Sequence, residues 1–215
     1  MSDLTLYYAK GTCAFVPQSL ILHLGLPVKF VEMKDSGNGF SSANGSMSNT
    51  EYKKIHPQGY VPALRVGNDV ITELAAILVY IGSLAKGQSL VAQGDIEQAR
   101  LTEWLVYFSD TVHGAFAMIY RPRRYVDNPD FHESVVRKGK KGVEECFTHL
   151  ELRLKGKVFP FGDRLTIVDF YLYIFGRWAL DCGYDLEKDY PHQFKHFQRL
   201  EQLTGVQQAT EIHKA

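Results

Sequence analysis

The feature that most constrains this sequence is a change of pattern between residues 86 and 94. Before it, short apolar segments typical of strands alternate with segments whose apolar residues recur at helical spacing. After it the strand signals vanish and the apolar stripes all have helical spacing. The segment between them, KGQSLVAQG, is rich in Gly, Ser and Gln. We therefore predict a first domain over residues 1–86 and an all-helical domain over residues 94–215.

The first domain follows the order strand, helix, strand, helix, hairpin, helix. A crossover helix makes the first two strands parallel, whereas the two strands of a hairpin must be antiparallel. The sequence therefore predicts a mixed, four-stranded sheet covered by helices. Residues 36–48, SGNGFSSANGSMS, are too rich in Gly, Ser and Asn to bury a core, and we expect them to form a mobile surface loop.

One helix start in the second domain has a clear local signal. Thr166 supplies a hydroxyl at the N-cap, and Asp169 supplies a carboxylate at the third helical position. Together they can satisfy two backbone amides reciprocally, as a capping box. We interpret this segment as a folding signal and assign it no chemistry.

Charge and cysteine usage exclude several classes of function. Lys and Arg number 24, and so do Asp and Glu, which argues against a nucleic acid or an anionic membrane as partner. The start of the chain lacks the pattern of a targeting segment, and the most apolar late segment, 168–180, is too short to span a bilayer. Three cysteines without metal-ligand spacing favour free thiols, no metal, and a reducing, cytoplasmic location.

Five motifs occur in order along the chain: LYYAKGTC at 6–13, HPQGYVPAL at 56–64, TE at 72–73 before AI at 76–77, EWL at 103–105 followed by His113, and GDRLTIVD at 162–169. This set resembles the soluble glutathione transferases and covers essentially the whole chain. The opening resembles the bacterial beta class, whose active-site cysteine follows the first strand. The resemblance implies a thioredoxin-like N-terminal domain, an all-helical C-terminal domain and a homodimer.

The resemblance also implies an activity. The N-terminal domain would bind glutathione as co-substrate, and a pocket between the domains would take a small hydrophobic electrophile for conjugation, a detoxification reaction. Its expected lining is Phe15, Phe116 and Tyr120, with Arg123 at the border. Two alternatives stay open: a glutathione-dependent thiol transferase acting through Cys13, and a non-catalytic protein that binds glutathione or hydrophobic ligands.

Cys13 is the centre of the predicted site. A thiol at a helix N-terminus faces unpaired amides and the positive end of the helix dipole, which favours the thiolate. The alternative is that Cys13 is a small buried hydrophobic residue, a common role for a free cysteine. Val16 stands where a Cys-x-x-Cys pair would have its second cysteine, so a dithiol mechanism is disfavoured.

The glutathione-binding residues are implied by the resemblance. Val61 and Pro62 form an X-Pro bond that is cis in the family and presents the Val61 backbone to the cysteinyl part of glutathione. Glu73 either binds the γ-glutamyl ammonium or only stabilises a helix start, and the amide of Leu74 takes the α-carboxylate. Lys34 is the candidate for the glycine carboxylate of glutathione.

Two further residues are candidates to act on the glutathione thiol. His113 matches a beta-class position near that sulfur, although a single histidine on a helix is more often structural. Tyr8, near the end of the first strand, is a possible hydroxyl donor and otherwise a core aromatic.

Overall fold

The computed structural model describes residues 3–37, 39–87 and 89–214. The chain divides into two compact units. The first unit is Met1–Val91 together with Glu201–Ala215, and the second is Ala92–Leu200. The last helix therefore groups with the sheet-containing unit, whereas the sequence division placed it with the other late helices.

A five-stranded mixed sheet forms the centre of the first unit. Its strands are β1 (Leu4–Tyr8), β2 (Val28–Asp35), β3 (Phe40–Ser42), β4 (Ala63–Val66) and β5 (Asp69–Ile71), in the spatial order β3-β2-β1-β4-β5. The pair β1–β2 is parallel, and the remaining neighbours are antiparallel. The parallel pair and the hairpin β4–β5 are as predicted.

The expected number of four strands is wrong, because β3 lies inside the segment expected to be a loop. Phe40 and Ser42 are buried, and β3 pairs with the end of β2. The Asn49 side-chain amide donates to the Phe40 carbonyl oxygen over 2.9 Å. A ladder is made by backbone groups, so a segment rich in Gly and Ser can join a sheet when one apolar side chain anchors it.

Ten α-helices lie within the described part of the chain. They are α1 (Phe15–His23), α2 (Asn49–Tyr52), α3 (Leu74–Ser83), α4 (Asp95–Tyr107), α5 (His113–Tyr120), α6 (His132–Leu154), α7 (Ile167–Asp181), α8 (Leu186–Asp189), α9 (Pro191–Glu201) and α10 (Thr204–Lys214). A π-helical segment, Phe108–Val112, joins α4 to α5. Short 3₁₀ segments follow at Pro122–Arg124 and Pro129–Phe131.

The capping box at the start of α7 is confirmed. The backbone N–H of Thr166 donates to Asp169 Oδ2 over 2.7 Å. The other carboxylate oxygen, Oδ1, lies 2.9 Å from His196 Nε2, and both side chains are buried. The folding signal is therefore tied to α9 by a contact that sequence spacing does not reveal.

Helix α10 packs closely on α1, and a glycine makes the approach possible. A Cβ atom at Gly205 would lie 2.3 Å from the backbone nitrogen of His23 and 2.5 Å from the carbonyl oxygen of Ser19. Val206 and Ala209, on the same helix, are buried. Since the obstructing atoms are backbone, a larger residue at position 205 must push the two helices apart.

We predict that Gly205→Ala lowers the free energy of unfolding by about 2 kcal/mol or more, because helix packing must shift to admit the methyl group. Gly114→Ala is the matched control: this helical glycine has nothing within 4 Å of a Cβ position. The control should be neutral or stabilising by about 0.5–1 kcal/mol through helix propensity. Urea denaturation measures both variants, and equal midpoints would contradict the close approach.

Candidate functional site

Cys13 lies in the turn between β1 and α1. Thr12 organises this turn: its hydroxyl donates to the Ala9 carbonyl oxygen over 2.7 Å and accepts from the Ala14 N–H over 3.2 Å. The turn leaves Cys13 two residues before the first residue of α1 and partly exposed. A free thiol that is accessible at a helix start can react, whereas a fully buried one is inert.

The structure brings Cys13 together with Val61 and Pro62. The thiol of Cys13 donates to the Val61 carbonyl oxygen over 3.8 Å. The Val61–Pro62 bond is cis, as the resemblance implies. The reason for the juxtaposition is the antiparallel pairing of β1 with β4, in which Tyr7 stands opposite Ala63. The segment that follows β1 and the segment that precedes β4 therefore meet at the same end of these two neighbouring strands.

Glu73 is the N-cap residue of α3, but its side chain makes no capping hydrogen bond. The carboxylate is exposed, while Leu74 is buried. The Glu73 carboxylate still lies at the positive end of the α3 dipole, so the alternative that it only stabilises the helix start stays open. His56, from the same motif as Pro62, is buried; burial lowers its pKa and the charge of Glu73 partly opposes that shift. Sequence reasoning assigned His56 no role.

Tyr8 is buried at the end of β1, and its hydroxyl donates to Glu32 over 3.5 Å. Burial, followed by the nearby Glu32 charge, raises the pKa of Tyr8. Glu32 also lies 3.7 Å from Lys10. Tyr8 is therefore a protonated hydroxyl engaged with a carboxylate, and its role toward a bound thiol stays a prediction.

Lys34 is exposed on β2, opposite Ser41 of β3. In the sheet order, β2 and β4 lie on opposite sides of β1. The proposed contact of Lys34 with glutathione stays a prediction.

Sequence reasoning missed two residues at this site, His213 and Gln18. The N–H of Gly11 donates to His213 Nδ1 over 3.2 Å, and His213 Nε2 lies 2.8 Å from Gln18 Oε1. His213 belongs to α10, a helix for which the sequence analysis made no prediction. The spacing of Val206, Ala209 and His213 is that of one helix face, and it was the available signal.

In the helical unit, His113 lies among aromatic rings. Its Nδ1 is 3.1 Å from the Tyr171 hydroxyl, and its ring centroid is 5.1 Å from that of Trp178. Burial, followed by the charges of Arg121 and Arg124, lowers the pKa of His113 to about 4. The imidazole is therefore neutral at neutral pH. Its expected role beside the glutathione sulfur stays a prediction.

The four residues expected to line an electrophile pocket occupy different environments. Phe15 is buried in α1, and Phe116 is buried in the helical unit, where it stacks on Phe175 at 5.9 Å between centroids. Tyr120 is 48% exposed and donates a hydrogen bond to the Trp178 carbonyl oxygen over 3.3 Å. Arg123 is exposed. Their pocket role stays a prediction.

The remaining cysteines lie in the helical unit. Cys146 is buried, and the thiol of Cys182, at the end of α7, donates to the Tyr120 hydroxyl over 3.4 Å. No disulfide joins Cys13, Cys146 or Cys182. Within residues 3–37, 39–87 and 89–214, no group of three or more His, Cys, Asp or Glu side chains is arranged to hold a metal ion. In the same ranges no helix combines the length and the apolar character needed to cross a membrane.

Comparisons with known proteins agree with this geometry. The family model for the glutathione S-transferase N-terminal domain matches residues 13–84, and the model for the C-terminal domain matches residues 108–203. The chain belongs to the glutathione S-transferase family. The first match begins at Cys13 and includes the Val61–Pro62 and Glu73–Leu74 segments.

Relatives match the chain over nearly its full length. It is 28% identical to glutathione S-transferase GstA of Escherichia coli O157:H7 over 95% of this chain and 96% of that protein. A glutathione transferase homologue from Sulfitobacter with bound glutathione has a TM-score of 0.86 at 24% identity, covering 99% of each chain. A beta class glutathione S-transferase of Sphingomonas chungbukensis has a TM-score of 0.83 at 23% identity, covering 97% of this chain and 98% of that one. The fold is therefore that of this family, thioredoxin-like in the N-terminal domain.

The lowered pKa of His113 predicts a pH dependence of stability. Below the ordinary histidine pKa of about 6.5, His113 is protonated in the unfolded chain. In the folded chain it stays neutral until the pH approaches about 4. This contribution is therefore fully present above pH 6.5 and is lost as the pH falls. Between about pH 7.5 and pH 5, it amounts to at most about 2 kcal/mol.

Urea denaturation at these two pH values measures the effect. His113→Gln, which cannot titrate, should lose less stability on acidification than the wild-type protein. His149→Gln is the control, because His149 is exposed on α6. An equal loss of stability in the wild-type protein and His113→Gln would show that His113 is not the group responsible.

Proposed function

We propose that this protein is a glutathione S-transferase that conjugates glutathione to small hydrophobic electrophiles. The observation that carries the proposal is the placement of the Cys13 thiol, at the start of α1, 3.8 Å from the carbonyl oxygen of Val61. In a member of this family, that juxtaposition marks where a second thiol, the one on glutathione, can lie. The full-length similarity to GstA supports the same activity.

The first unit supplies candidate contacts for each part of glutathione. The backbone of Val61 pairs with the cysteinyl residue in the manner of a strand edge. The exposed carboxylate of Glu73 binds the γ-glutamyl ammonium, and the amide of Leu74, in the first turn of α3, takes the α-carboxylate. Lys34, exposed on β2, is the candidate for the glycine carboxylate.

The chemistry asked of the protein is modest. The glutathione thiol gives its proton to solvent, the sulfur electron pair forms a bond to the electrophilic carbon, and the leaving group departs with the electrons of its bond. The positive end of the α1 dipole favours the thiolate, and a fixed dipole does so without reorganising during the reaction. Cys13, Tyr8 and His113 are the candidates to contact that sulfur.

A second activity is favoured by the partial exposure of the Cys13 thiol. As a thiol transferase, the Cys13 thiolate would attack the glutathionyl sulfur of a mixed disulfide and release the other thiol. A second glutathione thiolate would then free Cys13 and leave as glutathione disulfide. This route needs one cysteine and uses glutathione as reductant, in keeping with Val16 at the position of a second cysteine.

We further propose a cytoplasmic homodimer with a detoxifying role. Large apolar side chains are exposed in the helical unit, among them Ile96 (76%), Leu152 (69%) and Val106 (59%). Exposed apolar side chains of this size are candidates for burial by a second copy.

Glu73→Gln tests the binding site. Removing the charge that meets the γ-glutamyl ammonium should weaken glutathione binding about tenfold or more, since hydrogen bonds to charged groups are among the strong ones. The thermal stability should change little, because the side chain makes no capping bond. Retention on glutathione-agarose and the thermal shift by free glutathione measure binding.

Glu145→Gln, an exposed carboxylate on α6, is the matched control and should bind as the wild-type protein does. If the wild-type protein is not retained and glutathione gives it no thermal shift, the proposed function is wrong. If Glu73→Gln binds normally, only the role of Glu73 is wrong.

Cys13→Ala separates the two activities. Conjugation of a chlorodinitrobenzene should survive within about tenfold, because the reacting thiol belongs to glutathione. Reduction of a glutathione mixed disulfide should fall by about a thousandfold or more if Cys13 is the nucleophile. Cys182→Ala is the control for thiol loss in general. Loss of conjugation together with retained disulfide reduction would contradict both assignments, and ligand binding without either activity would favour a non-catalytic role.

A further inference from the structure

A histidine of the last helix joins the turn before Cys13 to the helix after it. His213 Nδ1 accepts the N–H of Gly11 over 3.2 Å, so the imidazole proton is assigned to Nε2. That Nε2–H then donates to Gln18 Oε1 over 2.8 Å. One neutral ring thus uses both nitrogens, one toward the turn and one toward α1.

The position of this ring is set by helix packing. Gly205 allows α10 to approach the backbone of α1, and Val206 and Ala209 bury the same helix face. His213 follows on that face one further turn along. Its ring lies 5.8 Å from that of Tyr8 and 5.2 Å from that of Phe15, between centroids. The imidazole is therefore packed as well as hydrogen-bonded.

The two partners of His213 flank the thiol in sequence. Gly11 adopts a φ of 71°, the left-handed region, and lies two residues before Cys13. Gln18 is fully buried in α1 and lies five residues after Cys13. A ring that fixes both points limits how far the Cys13 segment can move from the start of α1.

We propose that His213 is a positioning residue of the thiol site, and that its neutral imidazole holds the Cys13 turn against α1. The step it serves rests on the proposed function, whereas the positioning itself concerns this chain alone. Protonation would place a hydrogen on Nδ1, facing the N–H of Gly11, and the contact would be lost. The turn is therefore held while the imidazole is neutral and released when acidification protonates the ring.

Other titratable groups lie on the same elements as this histidine and its neighbours, and they bear on any pH profile. They lie in the turn, in β1 and β2, in α1 and in α10 itself: Lys10, Cys13, Tyr8, Glu32, His23, Glu211 and Lys214. Lys10 and Glu32 lie 3.7 Å apart, and Glu211 and Lys214 lie 2.9 Å apart, so each cation has a carboxylate partner. Burial lowers the pKa of His23, so the His23→Gln variant is needed to separate its titration from that of His213.

Two variants of His213 separate its contacts from its titration. His213→Gln offers one acceptor and one donor, as the neutral imidazole does, and cannot titrate. His213→Phe keeps an aromatic ring beside Tyr8 and Phe15 but makes neither hydrogen bond. His149→Gln, an exposed histidine of α6, and His23→Gln are the controls. Circular dichroism establishes that each variant is folded.

The first measurement needs no glutathione. The rate of Cys13 alkylation by iodoacetamide, followed by mass spectrometry of the Cys13 peptide from about pH 5.5 to pH 8.5, reports how the thiol is held. We expect His213→Phe to slow alkylation about five- to tenfold at pH 7.5, the scale of losing two hydrogen bonds. His213→Gln should match the wild-type rate at pH 7.5 and lack the additional inflection that the wild-type protein and both controls show on acidification.

The second measurement is the dissociation constant for glutathione. It should rise about five- to tenfold in His213→Phe and stay within about twofold in His213→Gln at pH 7.5. If both His213 variants match the wild-type alkylation profile, the inference is wrong whatever the affinity for glutathione. If the alkylation profile changes in the His213 variants but the wild-type protein fails to bind glutathione, the positioning role stands and the proposed function is wrong. Should His213→Phe not fold, the presence of the inflection in His213→Gln would by itself overturn the inference.

Discussion

The antiparallel pairing of β1 with β4 is the constraint on which the candidate site depends. It fixes the end of β1 opposite the beginning of β4, with Tyr7 facing Ala63. This pairing brings the turn that carries Cys13 next to the segment that carries Val61, although the two residues are 48 positions apart in the sequence. A one-residue slip would turn every side chain of the strand to the other face, so the buried core of the sheet also protects the register of the site.

The two faces of the sheet place the adjacent residues Tyr7 and Tyr8 in different surroundings. Tyr7 points into an apolar cluster with Tyr52 and Phe40. Tyr8, the next residue, points to the opposite face and contacts Glu32 and His213. Because side chains alternate along a strand, the two adjacent tyrosines contact different residues. The role of Tyr8 as a hydroxyl donor toward a bound thiol stays a prediction.

Local patterns predicted well what depends on neighbours in sequence. The parallel pair, the hairpin and the Thr166–Asp169 capping box each follow from spacing and turn residues. The strand at Phe40 was missed because its pairing is made by backbone groups in a segment of loop-like composition. The contact of His213 with Gly11 was missed for another reason: it joins residues 202 positions apart, through a helix approach that no local pattern encodes.

The protonation states found here bear on how a bound thiol is activated. His113 is a neutral imidazole at neutral pH, Tyr8 is a protonated hydroxyl, and Lys10 is paired with Glu32. A neutral histidine can accept a proton or donate a hydrogen bond, but it brings no positive charge to a thiolate. Stabilisation of the thiolate then falls mainly to the dipole at the start of α1, whose effect decays within the first turn. Such a site depends on position more than on acidity, and this is why a ring that only fixes the Cys13 turn can matter to its chemistry.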